Sequence, residues 1–357
     1  MRLLSRGERG VIEEIRRHFR GLTPQAPEGI GDDAAVLRAP SAPLIVSTDA
    51  LVESVDFRRH EPAFLLGRRA LAVNLSDLAA MGASPHGFLL TLAVPDDLTD
   101  RFVGDLLDGM ASRARAHRVR LLGGDLSRSP GPLAISITIL GISGGKGAPL
   151  TRKGARPGDG IWLSGPLGAS AAGRMFLESG WKPRLAGRKL IGATPPKRGR
   201  ADRIVRLRAS QAIARHLDPS PRLALGLALR RGGIASAAID VSDGLSSDLA
   251  HLAEASGVGA RVLSAALPIA DSARACARVG VDPVALALHG GEDYELLFTV
   301  PRRKERLAAK MDAVLIGRIA RRSAGLRLID PAGREKPLTR RGFDHFLPRA
   351  RGWKTWS

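Results

Sequence analysis

Apolar and polar residues alternate with two different periods along the first part of the chain. Apolar positions at helical spacing predict helices over residues 9–20, 64–83 and 99–117, the second of them ending at Gly82. Short apolar runs between these helices predict strands. The predicted strands are 42–52, 87–95, 119–127 (running into a turn) and 133–143, the last with its isoleucines on one face and Ser136 and Thr138 on the other.

A stretch rich in Gly, Pro and basic residues, 144–159, interrupts this pattern and predicts a domain boundary. Strands and helices alternate again beyond it. The chain is therefore expected to form two domains, 1–150 and 151–347, followed by a basic tail at 348–357. Helices that separate strands in both halves indicate an α/β (α+β) fold class.

The second half contains two segments in which a strand adjoins a polar turn. Residues 236–257 predict a strand, a turn and then a helix that places Leu245, Leu249 and Leu252 on one face. Residues 288–300 predict a loop that leads into an apolar strand. Both turns are rich in glycine and carboxylates, so they are candidates for binding chemistry.

The composition indicates a globular protein of a reducing compartment. Of 357 residues, 44% are hydrophobic and 25% charged, and Cys276 is the single cysteine. A lone cysteine forms no internal disulfide and no zinc site. No stretch approaches 18 uninterrupted apolar residues, so neither export nor a membrane span is supported, and a cytoplasmic location is expected.

The net charge of +20 raises the question of nucleic-acid binding. The basic residues are mostly scattered arginines, and the densest run, 182–208, has ten basic residues against one acid. This run has no interleaved aromatic residues on which bases could stack. Nucleic acid is therefore a disfavoured partner, and a flexible surface insertion is the favoured interpretation of 182–208.

Several of the acidic residues lie beside glycines, at the ends of apolar strands or on an apolar helix. They are Asp32, Asp33, Asp49, Asp77, Asp125, Asp240, Asp243, Glu292 and Asp293. Each has a simple alternative: Asp243 can cap a helix, and the "GGD" and "GGED" stretches can be turns. Asp77 is harder to explain, because a carboxylate on an apolar helix is costly to bury unless it is paired.

Taken together, these carboxylates favour a site for hard, oxygen-ligated metals, Mg²⁺ first and then Mn²⁺ or Ca²⁺. Carboxylates, glycine-rich loops and Mg²⁺ point to phosphate chemistry. The sequence lacks a Walker P-loop and the motifs of protein kinases. Arg152, in "LTRKGARPGD", is a candidate clamp for nucleotide phosphates or one surface arginine among many.

Eight stretches occur in one order that closely resembles the thiamine-monophosphate kinase family, within the superfamily of aminoimidazole ribonucleotide synthetase and selenophosphate synthetase. They are "GIGDDAAVL", "STDALVESVDF", "ALAVNLSDLAAMGASP", "LLGGDLS", "LTRKGARPGD", "IDVSDGLSSDLAHLAEASGVGA", "LHGGEDYELLFTV" and "RGFDHF". The resemblance spans residues 5–347 and implies two domains of mixed sheets flanked by helices. It implies ATP-dependent phosphorylation of thiamine monophosphate to thiamine diphosphate by direct in-line transfer with several Mg²⁺ ions, in a homodimer formed through the N-terminal domains.

The resemblance also assigns roles to individual residues. It implies metal ligation by Asp33, Ser47, Thr48, Asp49, Asp77, Asp125, Asp240 and Asp243. It implies ATP contacts from Gly124, Asp125, Arg152 and Ser242, and substrate contacts near Asp56, Glu292 and Phe343. Asp56 departs from the family, which often has histidine there. Two alternatives stay open: an aminoimidazole ribonucleotide synthetase-like enzyme, and a non-catalytic basic protein that binds polyanions.

Overall fold

The computed structural model describes residues 7–23, 37, 41–196 and 202–342. The chain divides into two compact units. Unit 1 comprises Met1–Leu78 and Ala83–Gly145, and unit 2 comprises Ala79–Gly82 and Lys146–Ser357. In the described ranges, no helix is both long enough and apolar enough to cross a bilayer.

Unit 1 is a four-stranded sheet with helices packed against one face. Its elements are α1 (Gly7–His18), β1 (Leu44–Val52), α2 (Ala63–Ala80), β2 (Ser84–Pro95), α3 (Asp100–His117), β3 (Arg120–Ser129) and β4 (Ala134–Ile142). The strand order is β1-β4-β2-β3, and β2/β3 is the parallel pair. A Cβ atom on Gly67 would lie 1.9 Å from the Leu106 carbonyl oxygen, and one on Gly109 would lie 1.8 Å from that of Phe64. Helices α2 and α3 therefore pack backbone to backbone.

The helices and strands predicted in unit 1 are confirmed, with one correction. Gly82 has φ +63°, and the Gly82 and Ala83 amides donate to the Ala79 and Leu78 carbonyls, which is the Schellman ending expected for α2. The predicted turn at the end of the third strand is wrong, because β3 continues through Gly124 and Asp125 to Ser129.

Unit 2 holds a seven-stranded sheet with order β13-β12-β9-β11-β5-β10-β8 and a separate hairpin, β6-β7. Its strands are β5 (Gly160–Leu163), β6 (Lys182–Ala186), β7 (Lys189–Thr194), β8 (Ala237–Asp240), β9 (Gly259–Leu263), β10 (Leu296–Val300), β11 (Val314–Ala320), β12 (Leu326–Ile329) and β13 (Glu335–Pro337). Its helices are α4 (Ala169–Glu178), α5 (Arg203–Leu217), α6 (Leu223–Arg231), α7 (Leu245–Ser256), α8 (Asp271–Ala275), α9 (Pro283–His289) and α10 (Glu305–Ala308). Both units mix helices and strands, so the predicted α/β (α+β) class is confirmed.

Three local predictions for unit 2 can be compared with the structure. Residues 143–159 contain no helix or strand, in keeping with the expected break. Leu245, Leu249 and Leu252 are fully buried, as the predicted apolar face of α7 requires. Within the basic run 182–208, residues 182–194 form the β6-β7 hairpin and α5 begins at Arg203. Regular structure therefore replaces the expected flexible insertion in those parts.

Cys276 lies in the short 3₁₀ helix Cys276–Val279 and is buried. Removal from water raises the pKa of its thiol to about 12, because the thiolate loses its hydration. The thiol therefore stays protonated and has no role as a nucleophile.

Candidate active site

Strand β1 and helix α2 bring several of the predicted metal ligands of unit 1 together. The Ser47 hydroxyl donates to Asp77 Oδ2 at 2.5 Å, and the Asp49 amide donates to Asn74 Oδ1 at 3.2 Å. Asn74 is buried and its Nδ2 donates to the Ala70 carbonyl, which fixes the amide within α2. These contacts explain why α2 tolerates polar residues on a largely apolar helix.

Two further predicted ligands of unit 1, Thr48 and Asp125, lie on the other face of the sheet. Successive side chains of a strand point to opposite faces, so Ser47 and Asp49 share one face of the sheet and Thr48, between them, points to the other. The Thr138 hydroxyl donates to Thr48 Oγ1 at 3.3 Å on this second face. Asp125 aligns with Ala50 through Thr91 and Ser136 and shares the same face. Those predicted ligands of unit 1 that the structure describes therefore fall into two sets, one per face.

The packing of β3 against β2 requires glycine at position 124. A Cβ atom there would lie 1.8 Å from the Leu90 carbonyl oxygen, so no side chain fits between β2 and β3. Its neighbour Asp125 is exposed and accepts a hydrogen bond from the Ser127 hydroxyl at 2.8 Å. Only the backbone of Gly124 is thus available for the predicted ATP contact.

In unit 2, the carboxylates of Asp240, Asp243 and Asp248 lie in one region, where β8 ends and α7 begins. The Asp243 and Gly244 amides donate to Asp248 Oδ2 at 3.2 and 3.0 Å, and Asp240 ends β8. Burial and the negative charges of Asp240 and Asp243 raise the pKa of Asp248 to about 8. This concentration of negative charge at a helix start is an environment that a cation stabilises.

The turn before α7 differs from its simplest interpretation. Asp243 is not the capping residue, since the N-cap position is Gly244, at φ 112°. Asp248, in the first turn of the helix, supplies the carboxylate that accepts the free amides. Sequence reasoning missed Asp248, although an acidic residue shortly after "SDG" was a usable sign of an N-terminal capping interaction.

The loop 290–295 lies against this turn and places Glu292 beside Ser242, both of them predicted binding residues. The Glu292 amide donates to the Ser242 carbonyl at 2.7 Å, and the Tyr294 amide donates to that of Val241 at 2.9 Å. A Cβ atom on Gly291 would lie 2.6 Å from the Ser242 carbonyl oxygen, so the approach requires glycine. The structure therefore brings Ser242, predicted to contact ATP, beside Glu292, predicted to contact the substrate.

Successive acidic side chains of this loop have separate partners. Asp293 is buried and accepts from the Gly168 and Ser170 amides at 2.6 and 3.1 Å, at the start of α4. Burial is the largest influence on Asp293 and raises its pKa to about 7 against the effect of these two bonds. Glu292 faces Arg174 and His216 at 3.7 and 3.6 Å.

Glu295 is fully buried and forms the most extensive of these contacts. Arg222 donates from Nε and Nη2 at 2.7 and 2.5 Å, and Arg215 donates from Nη2 at 2.8 Å. The Ser164 hydroxyl donates to Glu295 Oε2 at 2.5 Å. Hydrogen bonds to Glu295 also raise the pKa of Arg222. Sequence reasoning missed this cluster, because its members lie on separate elements and share no motif.

Two further predicted residues have local contacts. Asp56 Oδ2 accepts from the Val52 amide at 2.8 Å, which closes the turn after β1. The Arg152 carbonyl accepts from the Ser256 hydroxyl at 2.8 Å, which holds this segment against the end of α7.

Asp33 and Phe343 lie outside the described residues. Gly342, which precedes Phe343 in sequence, packs against the α7 turn: a Cβ atom there would lie 2.3 Å from the Asp243 carbonyl oxygen. Within the ranges that the structure describes, no three His, Cys, Asp or Glu side chains converge closely enough to hold a metal ion. The ligand assignments therefore stay predictions.

Comparison with known proteins identifies the domains. The family model described as AIR synthase related protein, N-terminal domain, matches residues 31–143, and the model for the C-terminal domain of the same family matches 156–325. The thiamine-monophosphate kinase of Escherichia coli O157:H7 is 40% identical over 352 residues, which cover 95% of this chain and 98% of that protein.

Solved structures agree over the same length. The thiamine-monophosphate kinase of Stenotrophomonas maltophilia K279a is 37% identical with a TM-score of 0.72, covering 92% of this chain and 97% of that one. A structure described as AaThiL complexed with AMPPCP and TMP is 32% identical with a TM-score of 0.72, covering 97% and 99%. The chain belongs to the thiamine-monophosphate kinase family and is built from the two AIR synthase related domains.

Proposed function

We propose that this protein phosphorylates thiamine monophosphate to thiamine diphosphate, with ATP as the phosphoryl donor. The observation that carries the proposal is the 2.7 Å hydrogen bond that holds Glu292, the predicted acceptor contact, against Ser242, the predicted nucleotide contact. Family membership over nearly the whole chain and a relative described as bound to AMPPCP and TMP support the same activity.

Direct in-line transfer suits this pair of substrates. The terminal phosphate of thiamine monophosphate is already an anionic nucleophile at neutral pH, so it needs alignment rather than a strong general base. Ser242, Arg152 and the backbone of Gly124 would bind the nucleotide, and Glu292, Asp56 and Phe343 would orient the acceptor. Excess positive charge on the protein, +20 overall, favours the approach of anionic substrates.

Oxygen-bearing side chains of β1 and α2 fit Mg²⁺ as the counter-ion of the phosphates. The Ser47 hydroxyl and the Asp77 carboxylate lie together at 2.5 Å, with Asp49 on the same face of β1, and all three are hard oxygen donors. When bound, Mg²⁺ neutralises phosphoryl oxygens and lowers the charge repulsion between donor and acceptor. The other proposed ligands are Asp33, Thr48, Asp125, Asp240 and Asp243. Burial and the negative charges of Asp240 and Asp243 raise the pKa of Asp248, which is consistent with a cation beside Asp240 and Asp243.

The activity is tested with purified protein, Mg²⁺, ATP and thiamine monophosphate. We expect ADP and thiamine diphosphate in a one-to-one ratio, measured by chromatography of both products. Formylglycinamidine ribonucleotide serves as the alternative acceptor. Turnover of that compound, together with none of thiamine monophosphate, would instead identify an aminoimidazole ribonucleotide synthetase-like enzyme.

We further propose that unit 1 forms a homodimer through the sheet face opposite α2. On this face Leu44 and Val46 of β1 are 42% and 57% exposed and Leu89 of β2 is 37% exposed, an unusual exposure for large aliphatic side chains on one face of a sheet. The register places Val46 opposite Leu140 and Leu89 opposite Thr138, so these residues share one surface. A second copy of the same face supplies an apolar surface of matching character.

Substitution Val46→Glu is expected to shift the protein from dimer to monomer in size-exclusion chromatography with light scattering, because it places a charge within an apolar contact. Ile191→Glu is the matched control, since Ile191 is 51% exposed on the β6-β7 hairpin of unit 2. Ile191→Glu should keep the mass of the wild-type dimer. A monomeric wild-type protein, or a Val46→Glu variant that keeps the dimer mass, would contradict the proposal.

A further inference from the structure

The backbone of Glu292 adopts a conformation that its surroundings must maintain. Glu292 has φ +56° and the nearby Tyr294 has φ +52°, in the left-handed region that non-glycine residues rarely occupy. The backbone bond from Glu292 to Ser242 holds the main chain, but the direction of a flexible glutamate side chain needs separate control.

Two cationic or potentially cationic side chains approach the same oxygen of that carboxylate. Arg174 Nη1 lies 3.7 Å and His216 Nδ1 lies 3.6 Å from Glu292 Oε2. The side chain of Glu292 is 21% exposed, whereas that of His216 is 2% exposed. Both distances exceed that of a hydrogen bond, so Arg174 attracts Oε2 by its charge and the edge of the His216 imidazole bounds the space beside it.

His216 is itself immobilised by α4. Its Nδ1 lies 3.0 Å from the Ser170 hydroxyl, and the Ser170 amide donates to Asp293 Oδ1 at 3.1 Å. Helices α4 and α5 are in close contact here: a Cβ atom on Gly173 would lie 2.3 Å from the Ala212 carbonyl oxygen and 2.8 Å from His216 Cβ. The imidazole is therefore held by a buried hydroxyl and by the packing of two helices.

We propose that His216, oriented by Ser170 and assisted by Arg174, is a positioning residue that directs the Glu292 carboxylate toward the thiamine moiety of the acceptor, in which the aminopyrimidine ring carries the N–H donors and the thiazolium ring carries the positive charge. The proposal rests on the proposed function and extends it to the acceptor specificity of this site. A carboxylate fixed in advance loses less conformational entropy on binding than a mobile one. His216 thereby acts on acceptor affinity through Glu292, without touching the transferred phosphate.

Steady-state kinetics can separate this role from a general structural one. His216→Leu fills a similar space with an apolar side chain and removes the contacts of Nδ1 with Ser170 and Glu292, and Ser170→Ala removes only the hydroxyl that orients the imidazole. His216→Asn restores a polar atom near the position of Nδ1. Arg208→Gln is the control on the same helix, where Arg208 contacts Gln211 and Asp271.

For His216→Leu we expect the KM for thiamine monophosphate to rise about fivefold, within the range that the loss of one polar contact produces, with the KM for ATP within about twofold of wild type. Ser170→Ala should give a smaller rise, His216→Asn a partial recovery, and Arg208→Gln no change. Thermal melts of each variant report whether the fold is retained.

An unchanged KM for thiamine monophosphate in folded His216→Leu, or equal rises in both KM values, would overturn the positioning role. If His216→Leu does not fold, Ser170→Ala and His216→Asn decide the question by the same comparison. Wild-type protein that does not phosphorylate thiamine monophosphate would contradict the proposed function itself, an outcome that the wild-type assay separates from the failure of the variants.

Discussion

Asp77→Asn is expected to abolish phosphorylation of thiamine monophosphate, with kcat below about one hundredth of the wild-type value. Asp77 accepts the 2.5 Å hydrogen bond from Ser47 and is proposed to hold Mg²⁺. Asparagine has nearly the same shape and can still accept that bond, so the fold should persist while the negative charge is lost. Loss of charge removes the attraction for the metal that neutralises the phosphates.

The assay compares kcat at saturating ATP and Mg²⁺ with far-ultraviolet circular dichroism and the melting temperature. Asp97→Asn is the control in unit 1, because Asp97 is 74% exposed and forms a surface ion pair with Arg59. Asp49→Asn should behave as Asp77→Asn does. Wild-type rates from either variant would show that the metal ligands of unit 1 have been assigned wrongly.

Glu295→Ala is expected to lower the free energy of unfolding of unit 2 by about 3 kcal/mol, because it leaves Arg215 and Arg222 without their buried carboxylate. Both arginine side chains are 33% exposed, so water solvates part of the charge that loses its partner. The expected decrease in the free energy of unfolding is therefore at the lower end of the range for breaking a buried ion pair. The Ser164 hydroxyl loses its acceptor in the same change.

Urea unfolding followed by tryptophan fluorescence reports this change. All four tryptophans, at positions 162, 181, 353 and 356, fall within the sequence range of unit 2. Glu335→Ala is the control. Glu335 forms an ion pair with Arg261 at 2.9 Å, and the Arg261 side chain is 47% exposed, so the expected decrease in the free energy of unfolding is below about 1 kcal/mol. Equal losses from the two variants would mean that burial of Glu295 has no energetic significance.

The local pattern of the sequence predicts the elements of unit 1 well because each helix and strand has a clear period. The alternation of Ile135, Ile137 and Ile139 with polar neighbours indicates β4 and its buried face. The same reasoning fails at Gly124, where a glycine before an aspartate is typical of a turn. Glycine there leaves room for the carbonyl of Leu90 on the neighbouring strand, a contact that no local pattern reveals.

The candidate site shows the same division. Acidic residues that lie beside glycines or on an apolar helix are visible in the sequence alone, and they include Asp77, Asp243 and Glu292. No such pattern marks His216 or Glu295. His216 precedes Glu292 by 76 residues and Arg222 precedes Glu295 by 73, so only the packing of α5 and of the start of α6 against the loop 290–295 brings such pairs together.

The sequence by itself determined the order of the elements, the set of candidate carboxylates and the family, since these depend on residue type and on spacing between near neighbours. Only the tertiary structure decided that Ser47 and Asp49 face α2 while Thr48 and Asp125 occupy the opposite face. It also decided that Asp248 accepts the amides before α7 and that Glu295 is paired with two arginines. The physical reason is that burial and charge pairing depend on which distant segments pack together.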